Sequence, residues 1–221
     1  MSQVKQNEYR YRIFYARSEI AAFTAHLDLL RLFQRTLKRA DFPMAYTQGF
    51  NPRPIMEFAL PIGVGIETRM EPFDVILTQM LEAQNIKNKL NQNLPNGIEI
   101  MKVELLTKDI KNVMSLVYAA EYEIEAENLG EAVETYYFDV SKPLIVSRER
   151  KGKTRTFIIR EYIKDMQVLN QNRIKFISKA GSQANLRPDL FLKSLVNVEQ
   201  ISKYAALDAI IIRKKVYLKG D

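Results

Sequence analysis

The order in which hydrophobic periodicities change along the first half of the chain restricts its fold more than any other feature. The segment Tyr9–Arg17, "YRYRIFYAR", alternates apolar residues with arginine, which predicts a half-buried β-strand. Leu30, Phe33 and Leu37 then recur at helical spacing and predict a core-facing helix that begins near Leu27. The chain therefore opens with a strand followed by an amphipathic helix.

The next four elements complete a familiar order. "PIMEFALPIGVGI" begins as a strand, and its two glycines suit a turn or a bulge. "FDVILTQ" is a β-branched strand, "EAQNIKNKLNQNLPNG" is a short helix closed by a turn, and "IEIMKVELL" is another strand. The order β-α-β-β-α-β is that of a split βαβ, or ferredoxin-like, unit, in which helices cover one face of an antiparallel sheet. We therefore expect residues 1–112 to form a ferredoxin-like domain.

The second half again mixes strands and helices. Strand patterns occur in "LVYAAEYEIEAE", "PLIVSRER", "KTRTFIIREYIKDMQVL", "RIKFISKA" and "AIIIRKKVYL". Helical patterns occur in "NLGEAVETYYFD", with Asn128 as a candidate cap, and in "RPDLFLKSLV", with Pro188 in its first turn. We expect residues 113–221 to form a second α+β domain. A diverged ferredoxin-like repeat is one interpretation, although no residue-level similarity between the halves demonstrates a duplication.

The chain is basic. Its 221 residues include 33 Lys and Arg against 26 Asp and Glu, which gives a net charge of +7. Such an excess favours a polyanionic partner, because phosphates attract Lys and Arg whatever the nucleic-acid sequence. The signal is modest, since many solvated surfaces carry a similar charge. The apolar fraction of 47% and the charged fraction of 27% are typical of a globular protein.

The cysteine and histidine contents exclude several classes of chemistry. The chain has no cysteine, which excludes a disulfide framework, a thiolate zinc site, an iron–sulfur cluster and a Cys nucleophile within it. The single histidine, His26, excludes sites that need two histidines. We expect no metal and no cofactor. The first twenty residues are charged throughout, and no apolar run approaches the roughly 20 residues that span a bilayer. We therefore expect a cytoplasmic protein without a membrane partner.

Two clusters of basic residues are candidate phosphate contacts. In the first helix, Arg31, Arg35 and Lys38 are spaced i, i+4 and i+7 and share one face, with Arg39 beside them. The second cluster lies on a predicted hairpin and comprises Arg148, Arg150, Lys151, Lys153 and Arg155. A solvated face explains the helix cluster better when it is considered alone, and a charged turn also explains the hairpin. Two clusters together favour contact with a nucleic acid.

The segment "YTQGFNPRP", residues 46–54, has a composition suited to ligand contact. Gly49 permits unusual backbone angles, and two prolines bias the residues before them towards extended conformations. Amide side chains can bind base edges, and the ring of Tyr46 or Phe50 can stack on a base. The residues predicted to contact RNA or another anion are Tyr46, Gln48, Asn51 and Arg53. The alternative is an ordinary helix-to-strand connection with Phe50 in the core, and the segment alone favours neither.

His26 and Asp28 are the candidate catalytic residues, and His26 is also a candidate anion contact. They lie near the predicted start of the first helix, where Thr24 is the expected N-cap. A histidine at this place can bind an anion, donate a hydrogen bond or act as an acid–base group. A structural cap or a packing role is the more common alternative. No nucleophile elbow, Walker A sequence, dinucleotide-binding pattern or EF-hand loop accompanies them.

The linked pattern of "HLD" at residues 26–28, the basic helix and "YTQGFNPRP" resembles the bacterial radical-SAM-linked proteins, a family whose domain has no assigned function. The resemblance continues through "FALPIGVGIE" and, more loosely, "NLRPD", and it covers most of the chain. The residues that match the family's pattern are His26, Asp28, Gln48, Gly49, Asn51 and Pro52. The resemblance implies that the His26 end of the helix and residues 48–53 form one site. Many members have a second histidine where this chain has Arg53, which counts against a two-histidine site and suits an anion contact.

The resemblance also implies a role and partners. Members of the family occur alone or fused behind a radical-SAM domain, and they are often encoded near ribosomal-protein and ribonuclease genes. This implies an accessory or substrate-presenting protein in RNA- or ribosome-related metabolism, with RNA as its ligand. A radical-SAM protein would be a separate partner, because this chain has no cysteine to bind the cluster.

Two other functions compete with this RNA-binding accessory role. One is an RNA-processing or RNA-modifying enzyme, in which His26 is the acid–base group or Asp28 the nucleophile or base; this rests on fold-level analogy alone. The other is a protein-docking module that binds a radical-SAM enzyme without contacting RNA.

Overall fold

The computed structural model describes residues 8–106, 111–150 and 152–220. The chain divides into two compact units, one within Met1–Val117 and the other within Tyr118–Lys219. In each unit, mostly antiparallel strands pack with helices, so the expected α+β class is confirmed. Within the described residues, no helix has both the length and the apolar character that crossing a membrane requires.

The first unit follows the predicted order of strands and helices. Its elements are β1 (Tyr9–Arg17), a 3-10 turn (Glu19–Phe23), α1 (His26–Arg39), β2 (Met56–Phe58), β3 (Ile66–Leu77), α2 (Ala83–Asn91), β4 (Ile98–Leu105) and the short helix α3 (Val113–Leu116). The strands are arranged in the order β4-β1-β3-β2, and each neighbouring pair is antiparallel.

Helix α1 packs its apolar face on the sheet, with one difference from the predicted stripe. Phe33 and Leu37 are fully buried, as expected, but the third fully buried apolar residue is Leu29. Leu30 is only partly buried and packs against the edge of the same core. The spacing from Leu29 to Phe33 and Leu37 is i, i+4 and i+8, so the buried stripe is rotated slightly from the predicted one.

A buried arginine binds the backbone just before α1, and the predicted cap is not formed. The N-cap is Ala25, which makes no side-chain cap hydrogen bond, so the assignment of Thr24 is wrong. The carbonyl oxygen of Thr24 instead accepts a hydrogen bond from the Arg17 guanidinium at 2.8 Å. Arg17 is fully buried and also donates to the carbonyls of Gly63 and Ile66. One charged side chain therefore joins β1, the entry to α1 and the turn before β3.

Strand β3 is longer than predicted. The sequence pattern places its start at Phe73, whereas it begins at Ile66 and pairs with β1 over most of its length. Its first half, "IETRMEP", is polar and contains Pro72, so β-propensity alone does not identify it as a strand. Pairing with β1 imposes the extended conformation there, because Thr68 and Pro72 lie opposite Arg17 and Phe14.

The second unit adds a two-stranded sheet to a similar plan. Its elements are β5 (Val117–Glu125), α4 (Leu129–Ala132) with a π-helical turn (Val133–Tyr137), β6 (Ile145–Arg150), β7 (Lys153–Ile158), a 3-10 turn (Ile159–Tyr162), β8 (Ile163–Asn170), β9 (Arg173–Lys179), α5 (Pro188–Asn197), α6 (Lys203–Leu207) and β10 (Ile210–Leu218). The larger sheet has the order β10-β5-β9-β8, and β6 pairs with β7 separately. If β6 and β7 are set aside, the strand order matches that of the first unit.

The predicted helix after Asn128 forms over residues 129–137, where α4 continues directly into the π-helical turn. Asn128 has a left-handed backbone, with φ of 56°, and its side chain does not cap α4. Gly130 donates a backbone hydrogen bond of 2.7 Å to the carbonyl of Gln171 in the β8–β9 turn. A Cβ at Gly130 would lie 1.9 Å from the carbonyl oxygen of Asn170. Glycine is therefore required here by close backbone approach, and this tertiary contact shapes the helix start.

Candidate functional site

The four basic residues of α1 differ in how far they are engaged. Arg31 forms an ion pair with Asp28, with 3.1 Å between Arg31 Nη1 and Asp28 Oδ1, and both side chains are exposed. Arg35 and Lys38 are also exposed, and neither forms an ion pair with a described residue. These two cations are the ones available to an external anion.

Arg39 is fastened to its own unit. Its guanidinium donates hydrogen bonds to the carbonyl oxygen of Asn93 at 2.9 Å and to the hydroxyl of Thr36 at 3.2 Å. The side chain therefore joins the end of α1 to the loop after α2. A phosphate contact by Arg39 would compete with these bonds, so we rank it below Arg35 and Lys38.

Residues 46–54 form an ordered, hydrogen-bonded arm. Tyr46 and Pro54 form an antiparallel bridge, and the amide of Thr47 donates to the carbonyl of Arg53 at 2.8 Å. The amide of Arg53 donates in return to the hydroxyl of Thr47 at 3.0 Å. At the base, the amide of Ile55 donates to the carbonyl of Ala45. We call residues 46–54 the arm.

The tip of the arm presents unengaged side chains to solvent. Phe50 is fully exposed, at 106% of its reference area, so the interpretation that placed it in the core is wrong. Gln48 and Asn51 are exposed as well, and no side-chain hydrogen bond joins either to a described residue. Gly49, with φ of 123°, provides the backbone conformation that turns the chain here.

Phe50 is not among the predicted contact residues, although it was one of the two rings considered for stacking and the sequence favours its exposure. It stands between Gly49 and the Asn-Pro pair, residues typical of turns, where a core aromatic is unusual. Tyr46, which was predicted, is 44% exposed at the arm's base. The arm therefore carries two aromatic rings, and the more accessible one is Phe50.

The His26 side chain packs against the ring of Phe58. His26 is the first residue of α1, it is partly buried, and its ring meets that of Phe58 edge-on with a centroid distance of 5.3 Å. Asp28 lies two residues later and is exposed beside Arg31. Cavities of about 580, 330 and 540 Å³ occur in the described residues, and neither His26 nor Asp28 lines any of these three. Asp28 therefore lacks the water-excluding surroundings that strengthen electrostatic catalysis.

His26 and the arm lie beside different parts of β3. Phe58, which His26 contacts, is opposite Phe73, whereas Met44 just before the arm is opposite Leu77. Phe73 and Leu77 are four residues apart along β3, a distance of about 13 Å. That His26 and the Gln48–Arg53 region form one site stays a prediction.

The basic hairpin is a two-stranded ribbon built from β6 and β7. Arg148 lies directly opposite Arg155, and the backbone of Arg150 lies opposite that of Lys153. At the base of the ribbon, Val146 and Phe157 lie opposite each other and are buried. The Arg155 guanidinium carbon lies 4.9 Å from the centre of the Phe157 ring. Lys151, also predicted as a contact, lies outside the described residues.

The ribbon places like charges beside one another. Directly opposite residues point to the same face of a sheet, and like charges at such positions are destabilising unless an anion separates them. Arg148, Lys153 and Arg155 form no ion pair with a described residue. Glu149 pairs with Thr154 and belongs to the other face. The face with Arg148 and Arg155 is therefore suited to bind a polyanion.

A second exposed feature of the first unit is apolar. Ile20, Phe23, Leu27 and Val64 are each more than half exposed. The amide of Gly65 donates to the carbonyl of Ala22, which joins the turn at Val64 to the segment that contains Ile20 and Phe23. We call these four residues the apolar patch. Exposed apolar clusters commonly mark protein contacts, and the helical-spacing analysis missed this one.

The comparison with known families assigns the chain without assigning a reaction. A family described as "Uncharacterized protein conserved in bacteria (DUF2344)" matches residues 10–188. The chain belongs to the DUF2344 family. The match includes α1, the arm and the ribbon of this DUF2344 protein, and it confirms the expected bacterial domain of unknown function. A search of curated proteins gave no match. The link to radical-SAM proteins stays a prediction.

Among the described residues, no group of three or more His, Asp or Glu side chains is placed to bind a metal ion.

Proposed function

We propose that this DUF2344 protein binds RNA and presents it to a separate radical-SAM enzyme, as a cytoplasmic accessory protein in RNA- or ribosome-related metabolism. The observation that carries the proposal is the set of accessible basic side chains without an ion-pair partner among the described residues. The two groups that carry it lie on α1 and the arm, with Arg35, Lys38 and Arg53, and on the ribbon, with Arg148, Lys153 and Arg155.

The engagement of neighbouring charges supports this choice of residues. Within the same helix, Arg31 is neutralised by Asp28 and Arg39 is held by a backbone carbonyl, so α1 has specific cations available rather than a uniform basic face. In the ribbon, the facing pair Arg148 and Arg155 has a repulsion that a phosphate would relieve. Phosphate contacts of this kind supply affinity that does not depend on nucleic-acid sequence.

The topology supports ferredoxin-like folds for both units as a further part of the proposal. In each unit the last strand of the larger sheet lies beside the first, and the third lies between the first and second. Such an arrangement matches a split βαβ unit and suits the interpretation that the halves are diverged repeats. The fold itself assigns no activity.

A protein-docking module is the second candidate function, because the apolar patch favours it. Ile20, Phe23, Leu27 and Val64 expose apolar surface of the type found in protein interfaces. Docking and RNA binding are compatible in one accessory protein. They become alternatives only if RNA does not bind.

Crosslinking in cells, followed by sequencing of the bound RNA, tests the proposal. We expect enriched RNA with the parent protein and a strong loss with an Arg35→Gln/Lys38→Gln variant. Lys193→Gln/Lys203→Gln is the matched control, because it removes the same charge from exposed positions on α5 and α6. An absence of enriched RNA with the parent, together with recovery of a radical-SAM protein after nuclease treatment, would favour the docking module instead.

A further inference from the structure

We infer that the arm binds an unpaired nucleotide by stacking its base on Phe50, so that the RNA segment recognised is single-stranded rather than duplex. The inference rests on the proposed function and specifies its ligand. It also assigns a binding role to Phe50, the most exposed aromatic side chain among the described residues.

The first argument is the placement of the Phe50 ring. Covering a fully exposed apolar ring with another surface lowers the free energy of the system. The arm that carries it is already ordered by the Tyr46–Pro54 bridge and the reciprocal hydrogen bonds between Thr47 and Arg53. Binding therefore orders little additional backbone, which reduces the entropic cost of association.

The second argument is the chemistry around the ring. Gln48 and Asn51 flank Phe50, and their amides have hydrogen-bonding groups that no described residue engages. Arg53 follows two residues later, with an exposed side chain free of any described ion pair. A nucleotide has complementary parts: a flat base for the ring, base-edge donors and acceptors for the amides, and a phosphate for the guanidinium.

The third argument excludes a duplex as the preferred ligand. Bases inside a helix are stacked on one another, so their faces are not available to Phe50. The deep, narrow major groove of A-form RNA also does not admit side chains, unlike the wider groove of B-form DNA that accepts a β-ribbon. The ribbon can instead follow a single backbone, since Arg148 and Arg155 face each other and Lys153 lies two residues from Arg155 on the same face, about 6.7 Å along the strand.

The test compares a labelled single strand of about 16 nucleotides, a length that covers known single-strand site sizes, with the duplex of the same sequence by fluorescence anisotropy. We expect the single strand to bind more tightly. Phe50→Ala and Phe50→Leu should weaken binding by roughly 5- to 150-fold, while Phe50→Tyr retains it, because stacking needs a flat ring. Phe23→Ala is the matched control, since it also removes an exposed ring from the first unit, and it should leave binding unchanged.

Three results would overturn the inference while leaving RNA binding intact. They are equal or tighter binding of the duplex, no effect of Phe50→Ala, and full binding by Phe50→Leu, which would indicate apolar docking without stacking. Failure of the parent to bind either RNA at low salt would overturn the proposed function itself. Circular dichroism of each variant would verify that the fold is retained.

Discussion

The buried ion pair of Arg12 and Asp74 gives the sharpest prediction about stability in the first unit. The residues lie opposite each other on β1 and β3, and each is 5% exposed. Arg12 Nε donates to Asp74 Oδ1 at 2.9 Å, and Nη2 donates to Oδ2 at 3.1 Å. This two-bond geometry satisfies both oxygens of a carboxylate that has almost no contact with water.

Removing one charge should cost far more than removing both. Breaking a buried pair costs about 3–5 kcal/mol, because the remaining charge is left without compensation. For Asp74→Leu we expect the lower end, about 3 kcal/mol, since Glu104 also lies opposite Arg12 on β4 and is only partly engaged by Lys102. Arg12→Met leaves the Asp74 carboxylate uncompensated, and we expect about 4 kcal/mol. The double variant Arg12→Met/Asp74→Leu should cost about 1 kcal/mol or less, because apolar replacements of buried pairs are often neutral.

Hydrogen exchange measured by mass spectrometry reads these effects locally. Peptides from β1 and β3 should exchange faster in the single variants, whereas peptides from β8 and β9 in the second unit serve as the internal control. The two single losses, about 3 and 4 kcal/mol, together exceed the loss of about 1 kcal/mol in the double variant. The expected coupling free energy between Arg12 and Asp74 is therefore about 6 kcal/mol. Additive losses, with the double variant near 7 kcal/mol, would refute the reasoning.

The two remaining predictions concern the second unit. Gly130→Ala should destabilise this unit by about 3 kcal/mol, because the new Cβ would meet the carbonyl oxygen of Asn170. The control Gly152→Ala places its Cβ within 4 Å of no atom and should cost only about 1 kcal/mol, for its positive φ. Similar thermal denaturation of the two variants would contradict this prediction. A hydrogen bond from the Tyr217 hydroxyl to Glu121 raises the pKa of Tyr217 to about 12, so its stabilising effect is complete below pH 10 and is lost as the pH rises through 12. The ultraviolet titration curve of the parent, after subtraction of the curve of Tyr217→Phe, should show a midpoint near pH 12 for the Tyr217 phenol. A midpoint near pH 10 would exclude the hydrogen bond.

The sequence was sufficient to predict elements whose pattern follows directly from burial. Strand β1 and helix α1 have unambiguous periods, and both form where expected, because local alternation and core contact agree there. The predicted start of β3, at Phe73, was wrong because the polar first half of the strand is extended only through its pairing with β1. The predicted N-cap of α1, Thr24, was wrong because Ala25 occupies that position, and the Thr24 carbonyl accepts a hydrogen bond from Arg17 instead. Long-range partners are not encoded in any short window of sequence.

The same distinction applies to the candidate site. The ion pair between Asp28 and Arg31 follows from their i, i+3 spacing. The sequence alone was therefore enough to place Arg31 below the other α1 cations as an anion contact. The bond from Arg39 to Asn93 joins residues far apart in sequence and was not predictable. Phe50 was considered both as a core residue and as a stacking group, and only the folded arm shows that it is exposed.

The salt dependence of RNA binding tests the central claim most directly. If Arg35, Lys38, Arg53, Arg148, Lys153 and Arg155 each contact a phosphate, the logarithm of the association constant should fall against the logarithm of salt concentration with a slope of about −4 for a single strand. Neutralising Arg148, Lys153 and Arg155 to Gln should change the slope to about −2.

A control triple of Lys193, Lys203 and Lys219 to Gln removes the same charge from other exposed positions and should leave the slope near −4. A slope near zero for the parent, or an equal reduction by both triples, would contradict the account. The first result would show that phosphates are not contacted, and the second that only net charge matters.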